Sequence, residues 1–343
     1  MNPNRRALAW SVAAAACGYL VAGILEATLI RALQPNEWEL AWVGDAALSV
    51  ALGNAVYLWR HLVTTRRELE ERERAELALQ MQLSIAAEIQ NRLLPPVPPT
   101  GHGFEWAAAL KSAGKIGGDF YDFVEIASTL RTMLVADVSG KGIPAAMALG
   151  SLRSAFRALA GQSTDPARIV AQLSSVLYEQ WRGSPYVTCL VATFDLAART
   201  MTYTNAGHPP GIVAGRDGLR HLNHGGPPAG LMPDARYDQE RVSLSIGDVC
   251  LFVSDGVTEA LEGEAPLERD LVALNARRGP ASAADVCQAL MTRALGGHGP
   301  RGVQEWDDDR TVVVVKVLES EAAGLNRPAA DDLLGRPVMP APA

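Results

Sequence analysis

Apolar and polar positions follow three successive patterns along this chain, and each predicts a different kind of structure. Residues 7–30 and 40–59 are close to unbroken apolar runs, with Glu26 and Asp45 as their only charges. Each is long enough to cross a bilayer as a helix. The segment between them, 31–39, contains Pro35 and predicts a tight helical hairpin. Arg5 and Arg6 precede the first run, and Arg60, His61, Arg66 and Arg67 follow the second. That flanking charge places both ends of a two-span hairpin on the cytoplasmic side of an inner membrane. Two other readings of the stretch are a buried hairpin in a soluble domain and an export signal or lipid-attachment site at Cys17. The apolar run continues well past Cys17, and Ala14, Ala15 and Ala16 match a lipid-attachment signal poorly.

From Thr64 to Leu94 the pattern becomes helical. Arg66, Arg67, Glu68, Glu70, Glu71, Arg72, Glu73, Arg74 and Glu76 mix both signs at helical spacing, as on an exposed helix. Leu77, Met81, Ile85, Ile89 and Leu93 follow at four-residue steps and form an apolar face that needs a partner. Glu76 interrupts the heptad seam of Leu62, Leu69 and Leu83, which leaves two readings open: a short parallel coiled coil in a homodimer, or a helix packed on its own domain. Pro95, Pro96, Pro98 and Pro99 end the helix. The organisation expected is a two-helix transmembrane hairpin (1–63), a linker or regulatory helix with its Pro-rich break (64–99), a folded domain (100–318) and a disordered tail (319–343).

Beyond residue 100 the period shortens. Arg131 to Asp137, Val187 to Asp195, Thr200 to Asn205, Asp248 to Ser254 and Thr311 to Leu318 are rich in Val, Thr, Leu and Phe and predict strands. Leu196 to Arg199 predicts a hairpin turn. Ile143 to Leu159, Pro166 to Trp181 and Ser282 to Ala294 predict helices, two of them with proline in the first turn. Strands and helices without βαβ regularity predict an α+β sandwich.

Composition narrows the function classes. Net charge is −7, with no basic run longer than an arginine pair, which argues against a nucleic-acid surface. Cys17, Cys189, Cys250 and Cys287 show no CxxC pairing; they read as small core residues, not as a disulfide framework or a zinc site.

The candidate chemistry lies in four acids at breaks between strands and turns: Asp119 in GGDFYDF, Asp137 in LVADVSGKG, Asp255 in LFVSDGVTEA and Asp308 in WDDDRTVVVV. One strand-end aspartate is usually a turn former. Four in one domain point to oxygen ligands for hard cations, Mg²⁺ or Mn²⁺ rather than Zn²⁺. Gly117 and Gly118 allow close approach beside Asp119, and carbonyls in the turn after Asp137 are available to ligate. Two such ions predict metal-assisted phosphate hydrolysis. No GxSxG, CxxxxxR or Ser-His-Asp pattern offers a protein nucleophile, and Lys141 lacks the GxxxxGK[ST] spacing of a nucleotide loop.

The ordered set GGDFYDF, ADVSGKGIPAAM, NAGHPP, LFVSDGVTEA and DDRTVVVV, preceded by AAEIQNRLLP, resembles the SpoIIE-like bacterial serine/threonine phosphatases of the PPM (protein phosphatase 2C type) superfamily. The resemblance covers about residues 84 to 318. It implies an αββα sandwich, two Mn²⁺ or Mg²⁺ ions, and removal of phosphate from Ser or Thr on a partner protein, commonly a STAS-fold anti-sigma-factor antagonist. Carried over by position, Asp137 would bridge both metals and the Val138 carbonyl would bind one of them. Asp255 and Asp308 would bind the other, and Asp119 would act through metal-bound water. Glu88, Ile89, Gln90 and Leu94 match the helix that passes regulation to the active site in such proteins. The chain departs from the family pattern before GGD, where Ser112 to Ile116 replace Pro-Ala-x-x-Val and introduce Lys115, which reads either as a solvated loop lysine or as a residue near substrate phosphate. His208 of NAGH reads as structural. The alternative function is a catalytically silent, phosphoprotein-binding scaffold of the same fold; four acids buried without ions would be a costly relic in such a protein.

Overall fold

The computed structural model describes residues 16–26, 28–29, 38–114, 116–140, 142–276, 281–296 and 308–319. The chain divides into two compact units, Met1–Gln82 and Leu83–Ala343.

In the first unit, residues 16–26 are helical, and a second helix, α1 (Trp38–Leu93), begins here. A Cβ placed on Gly18 would meet Ser49 Oγ at 3.7 Å and Leu52 Cδ1 at 3.9 Å, so the two helical segments lie against each other there. Leu20, Val21, Ile24, Val50 and Leu58 remain exposed. Two membrane spans are not shown: no helix among the described residues is long and apolar enough to cross a membrane. Residues 7–15, 27 and 30 of the first run lie outside the described residues. The backbone does not break at 63/64, because α1 runs through it. Its exposed middle carries ion pairs one turn apart, such as Arg66 with Glu70 at 3.1 Å.

The second unit is an αββα sandwich. One sheet has the order β1 (Phe104–Lys111), β11 (Arg310–Val317), β10 (Val249–Val253), β6 (Gly211–Gly215), β7 (Gly218–Leu222). The other runs β2 (Asp119–Ala127), β3 (Leu130–Val138), β4 (Val187–Asp195), β5 (Thr200–Ala206), β8 (Gly225–Gly226), with β9 (Glu240–Ser243) also on β5. The inner faces meet through Phe104, Trp106, Phe123, Phe194, Tyr203 and Phe252. Helices α2 (Ile143–Ala160) and α3 (Pro166–Trp181) cover the second sheet through Phe156, Ile169 and Leu173. Helices α4 (Asp255–Ala260), α5 (Glu264–Asn275) and α6 (Ala283–Gly296) cover the first through Val257, Leu271 and Leu290.

The predicted strands and helices are present, with shifts of one or two residues at some ends, and β4 and β5 pair antiparallel with Asp195 opposite Thr200. Helix α3 starts where local chemistry dictates: Asp165 accepts the Arg168 amide at 3.0 Å and Pro166 occupies the first turn. The sequence reading did not assign β1, β2, β6 to β9, α4 or α5. Most of those strands alternate weakly or are short, and pairing defines them. The tail residues 320–343 lie outside the described residues.

Candidate metal centre

The β2–β3 register sets Asp119 directly opposite Asp137, and residues opposite one another in a ladder project to the same face. Asp119 is 2% exposed. Its Oδ2 accepts a 2.6 Å hydrogen bond from Thr311 Oγ1 on β11, which links the two sheets at this end of the sandwich. Burial drives the Asp119 carboxyl well above its usual range; hydrogen bonds from Ser254 and Thr311 oppose the rise, and the charges of Asp137 and Asp309 add to it.

The GGD turn is shaped by contact. A Cβ on Gly118 would lie 2.7 Å from the Val138 carbonyl oxygen and 2.9 Å from Asp137 Oδ1. Both oxygens therefore border the space that the missing side chain leaves open. On the other side of the turn, Asp309 Oδ1 accepts the Ala113 amide at 2.7 Å, and Oδ2 accepts the amides of Gly118 at 2.5 Å and Asp119 at 3.3 Å. Gln90, near the end of α1, makes a reciprocal pair with the same turn: its Nε2 donates to Gly117 O at 2.9 Å, and its Oε1 accepts the Gly117 amide at 3.2 Å.

Asp255 enters from β10 as the first residue of α4, where its Oδ1 accepts the Gly256 amide at 2.9 Å. The neighbouring Ser254 locks this strand end to β11, accepting the Thr311 amide on Oγ at 2.9 Å and donating its own amide to Thr311 O at 3.1 Å. A Cβ on Gly256 would strike the Asp309 carbonyl, so Asp255 stands beside the entry to β11. Asp137, Asp308, Asp309, Gly117, Gly118, Gly140 and Gly142 border a cavity of about 350 Å³.

The sequence-predicted acids thus converge on one end of the sandwich, with Asp137 and Asp308 on the cavity wall and Asp119 and Asp255 beside it. Among the described residues, no three of them bring carboxylate oxygens within 4.8 Å of one another, a spread broader than one small cage. The donor set is oxygen only, backed by a buried carboxylate whose charge is unfavourable alone and by a glycine cradle. It fits hard divalent cations.

Asp309 is what the sequence reading missed. Its neighbour Asp308 is half-buried, and Asp308 Oδ1 accepts the Asp309 amide at 3.0 Å, whereas Asp309 is buried and consumed by three backbone donors. An acid pair before an apolar strand signals both residues, but only the tertiary contacts assign their roles. His208 of NAGH stands in the turn after β5. It is buried, Thr188 Oγ1 lies 3.1 Å from its Nδ1, and burial lowers its pKa to about 4. Asn205 closes the same turn, accepting the His208 amide at 2.8 Å and donating to His208 O at 2.9 Å. Lys115 and Lys141 lie outside the described residues.

A family model, stage II sporulation protein E (SpoIIE), matches residues 131–318, more than half of the chain. The phosphoserine phosphatase RsbU of Bacillus subtilis (strain 168) is 28% identical over 227 residues, covering 66% of this chain and 65% of its own. Slightly less than two thirds of that relative therefore has a counterpart here. The SiaA-PP2C domain of Pseudomonas aeruginosa superposes with a TM-score of 0.60 at 19% identity, covering 71% of this chain and 98% of its own. The PP2C phosphatase domain of SpoIIE from Bacillus subtilis, solved with a fragment of its regulatory domain, gives a TM-score of 0.56 at 19% identity, covering 64% of each chain. Both structural likenesses are to the PP2C-type sandwich.

Proposed function

We propose, on the premise that this chain belongs to the SpoIIE family, that it is a metal-dependent serine/threonine phosphatase acting on a phosphorylated partner protein. The observation that carries the reading is the cradle at Gly118, where the Asp137 carboxylate and the Val138 carbonyl face one gap beside buried Asp119. In this reading Asp137, the Val138 carbonyl, Asp255 and Asp308 would hold the Mn²⁺ or Mg²⁺ ions, with buried Asp119 beside them. When bound, two such ions polarise the phosphate and make hydroxide available near neutral pH.

The chain's own residues supply position. Thr311 fixes the Asp119 carboxylate, Asp309 holds the GGD backbone from one side, and Gln90 holds it from the other. Ser254 fixes the strand end that delivers Asp255. Buried His208, neutral near pH 7, is not the proton donor to the leaving serine; water is.

The partner class we assign is a STAS-fold anti-sigma-factor antagonist carrying phosphoserine or phosphothreonine, supported by the family resemblance and by the similarity to RsbU, itself a phosphoserine phosphatase. We place the enzyme at the inner membrane through residues 7–30 and 40–59, with the phosphatase unit cytoplasmic. The exposed Leu20, Ile24, Val50 and Leu58 support that placement. Exposed Leu69, Leu77 and Met81 support pairing of 64–94 with a second copy.

The test is Mn²⁺-dependent phosphate release by the full chain from a phosphoserine STAS protein, with Asp137→Asn in parallel. Turnover that needs the ion and falls by two or more orders of magnitude in the variant is the expected result. A variant working at the wild-type rate sinks the metal assignment.

A further inference from the structure

Away from the acids just described, strand β7 and helix α5 bring His221, Glu264 and Glu268 together. One ligand atom from each lies within 4.8 Å of the other two. His221 Nε2 is 2.8 Å from Glu268 Oε1. Glu264 and Glu268 are one helical turn apart, so their carboxylates stand on one face of α5. His221 pairs with Ile212 of β6, and β6 separates β7 from β10; the cluster therefore lies at the edge of the first sheet, two strands from the strand that delivers Asp255.

We propose that this cluster is a binding site for a divalent cation of the zinc class, distinct from the oxygen-only centre. A lone His221–Glu268 hydrogen bond would not need a second carboxylate. Glu264, the first residue of α5, brings a second carboxylate within 4.8 Å of both members of the pair. Imidazole nitrogen with two carboxylate oxygens is a donor set that zinc accepts in three-ligand sites with an open position. Magnesium and calcium prefer all-oxygen shells.

Zn–N and Zn–O bonds of about 2.0–2.2 Å in a tetrahedron separate ligand atoms by roughly 3.3 Å. The present His221–Glu268 spacing must open by about half an ångström, and the other spacings must close to a similar figure. Glu264 is exposed, and the side chains of His221 and Glu268 are 38% and 27% exposed, so rotamer adjustment is enough. The imidazole binds as the neutral form through Nε2, giving up any proton there to solvent. The ion ties the first turn of α5 to the edge strand β7. Because α4 starts at Asp255 and leads directly into α5, the tie also anchors the chain that leaves the proposed catalytic end.

The experiment is Co²⁺ and Zn²⁺ binding by the full chain, for wild type, His221→Ala, Glu264→Gln and Asp137→Asn. Visible absorption of bound Co²⁺ distinguishes a four-coordinate nitrogen-containing shell from a six-coordinate oxygen shell. Expected is one equivalent with the four-coordinate spectrum, competed by Zn²⁺ and retained in Asp137→Asn. Affinity at that site should fall at least tenfold in His221→Ala and Glu264→Gln. Thermal melts without added metal check that these variants fold, and the Zn²⁺-induced rise in melting temperature should be lost in both. A four-coordinate spectrum unchanged in folded His221→Ala overturns the proposal, as does the absence of any such spectrum in wild type. Neither outcome touches the phosphatase reading, which is tested by Mn²⁺ turnover and by Asp137.

Discussion

Gly118→Ala isolates the cradle from the rest of the fold. Gly118 is not among the residues with positive φ, so alanine adopts this backbone without strain and the whole effect comes from what its methyl meets. That methyl would sit 2.7 Å from Val138 O and 2.9 Å from Asp137 Oδ1. An ordinary contact needs about 3.4 Å, so these oxygens must retreat by half an ångström or more. Val138 cannot yield freely, because its amide is bonded to Gly118 O at 3.1 Å and its strand is paired on both sides. Overpacking of this kind costs about 1–3 kcal/mol, and an ångström of misplacement at a reacting centre costs about 10²-fold in rate. The variant should therefore fold with a moderately lower melting temperature, bind Mn²⁺ more weakly and lose roughly two orders of magnitude in phosphate release. Gly101→Ala is the control, since nothing lies within 4 Å of its Cβ position. If Gly118→Ala matched the control in Mn²⁺ titration calorimetry and turnover, the open gap beside Asp137 would have no role in holding ions.

Three further outcomes follow from the same geometry. Asp309→Asn removes the charge from an acceptor of three backbone amides. Denaturant unfolding should show a loss of about 1.5–3 kcal/mol, whereas Asp308→Asn should weaken Mn²⁺ binding with little change in stability. Gln90→Ala leaves the Gly117 amide and carbonyl without their buried partner. A loss of about 1–3 kcal/mol, together with reduced Mn²⁺ affinity, is expected; wild-type affinity would show that the end of α1 does not position the turn. His208 has its pKa lowered by burial from 6.5 to about 4, so its contribution to stability is complete above pH 6.5 and is lost as pH falls toward 4. The full loss is about 3 kcal/mol below that pH. His208→Asn should flatten the acid limb of the stability–pH curve, and an unchanged limb would refute the assignment.

The second unit was largely legible in its sequence because its signals are local. Val187–Asp195 and Arg310–Val317 are β-branched runs that define their own conformation, and Pro166 behind Asp165 writes the start of α3 without help from the core. The four candidate acids were legible for the same reason, each standing where a strand run meets a turn. The N-terminal runs were legible only as apolar length: it suggested two spans, and no helix among the described residues is long and apolar enough to cross a membrane, while much of the first run lies outside the described residues.

What the sequence determined by itself was the alternation of strand and helix, the family, and a set of acids at strand ends. What only the tertiary structure decided was which acid does which work. Asp308 and Asp309 are identical in type and adjacent, and both border the cavity, yet it is Asp309 that three amides from a turn far away in the chain fix in place. Gln90 meets Gly117, and Thr311 meets Asp119, for the same reason. A strand's period says which face a side chain occupies, but hydrogen bonds between distant segments exist only after the two sheets have packed, and no local pattern encodes them.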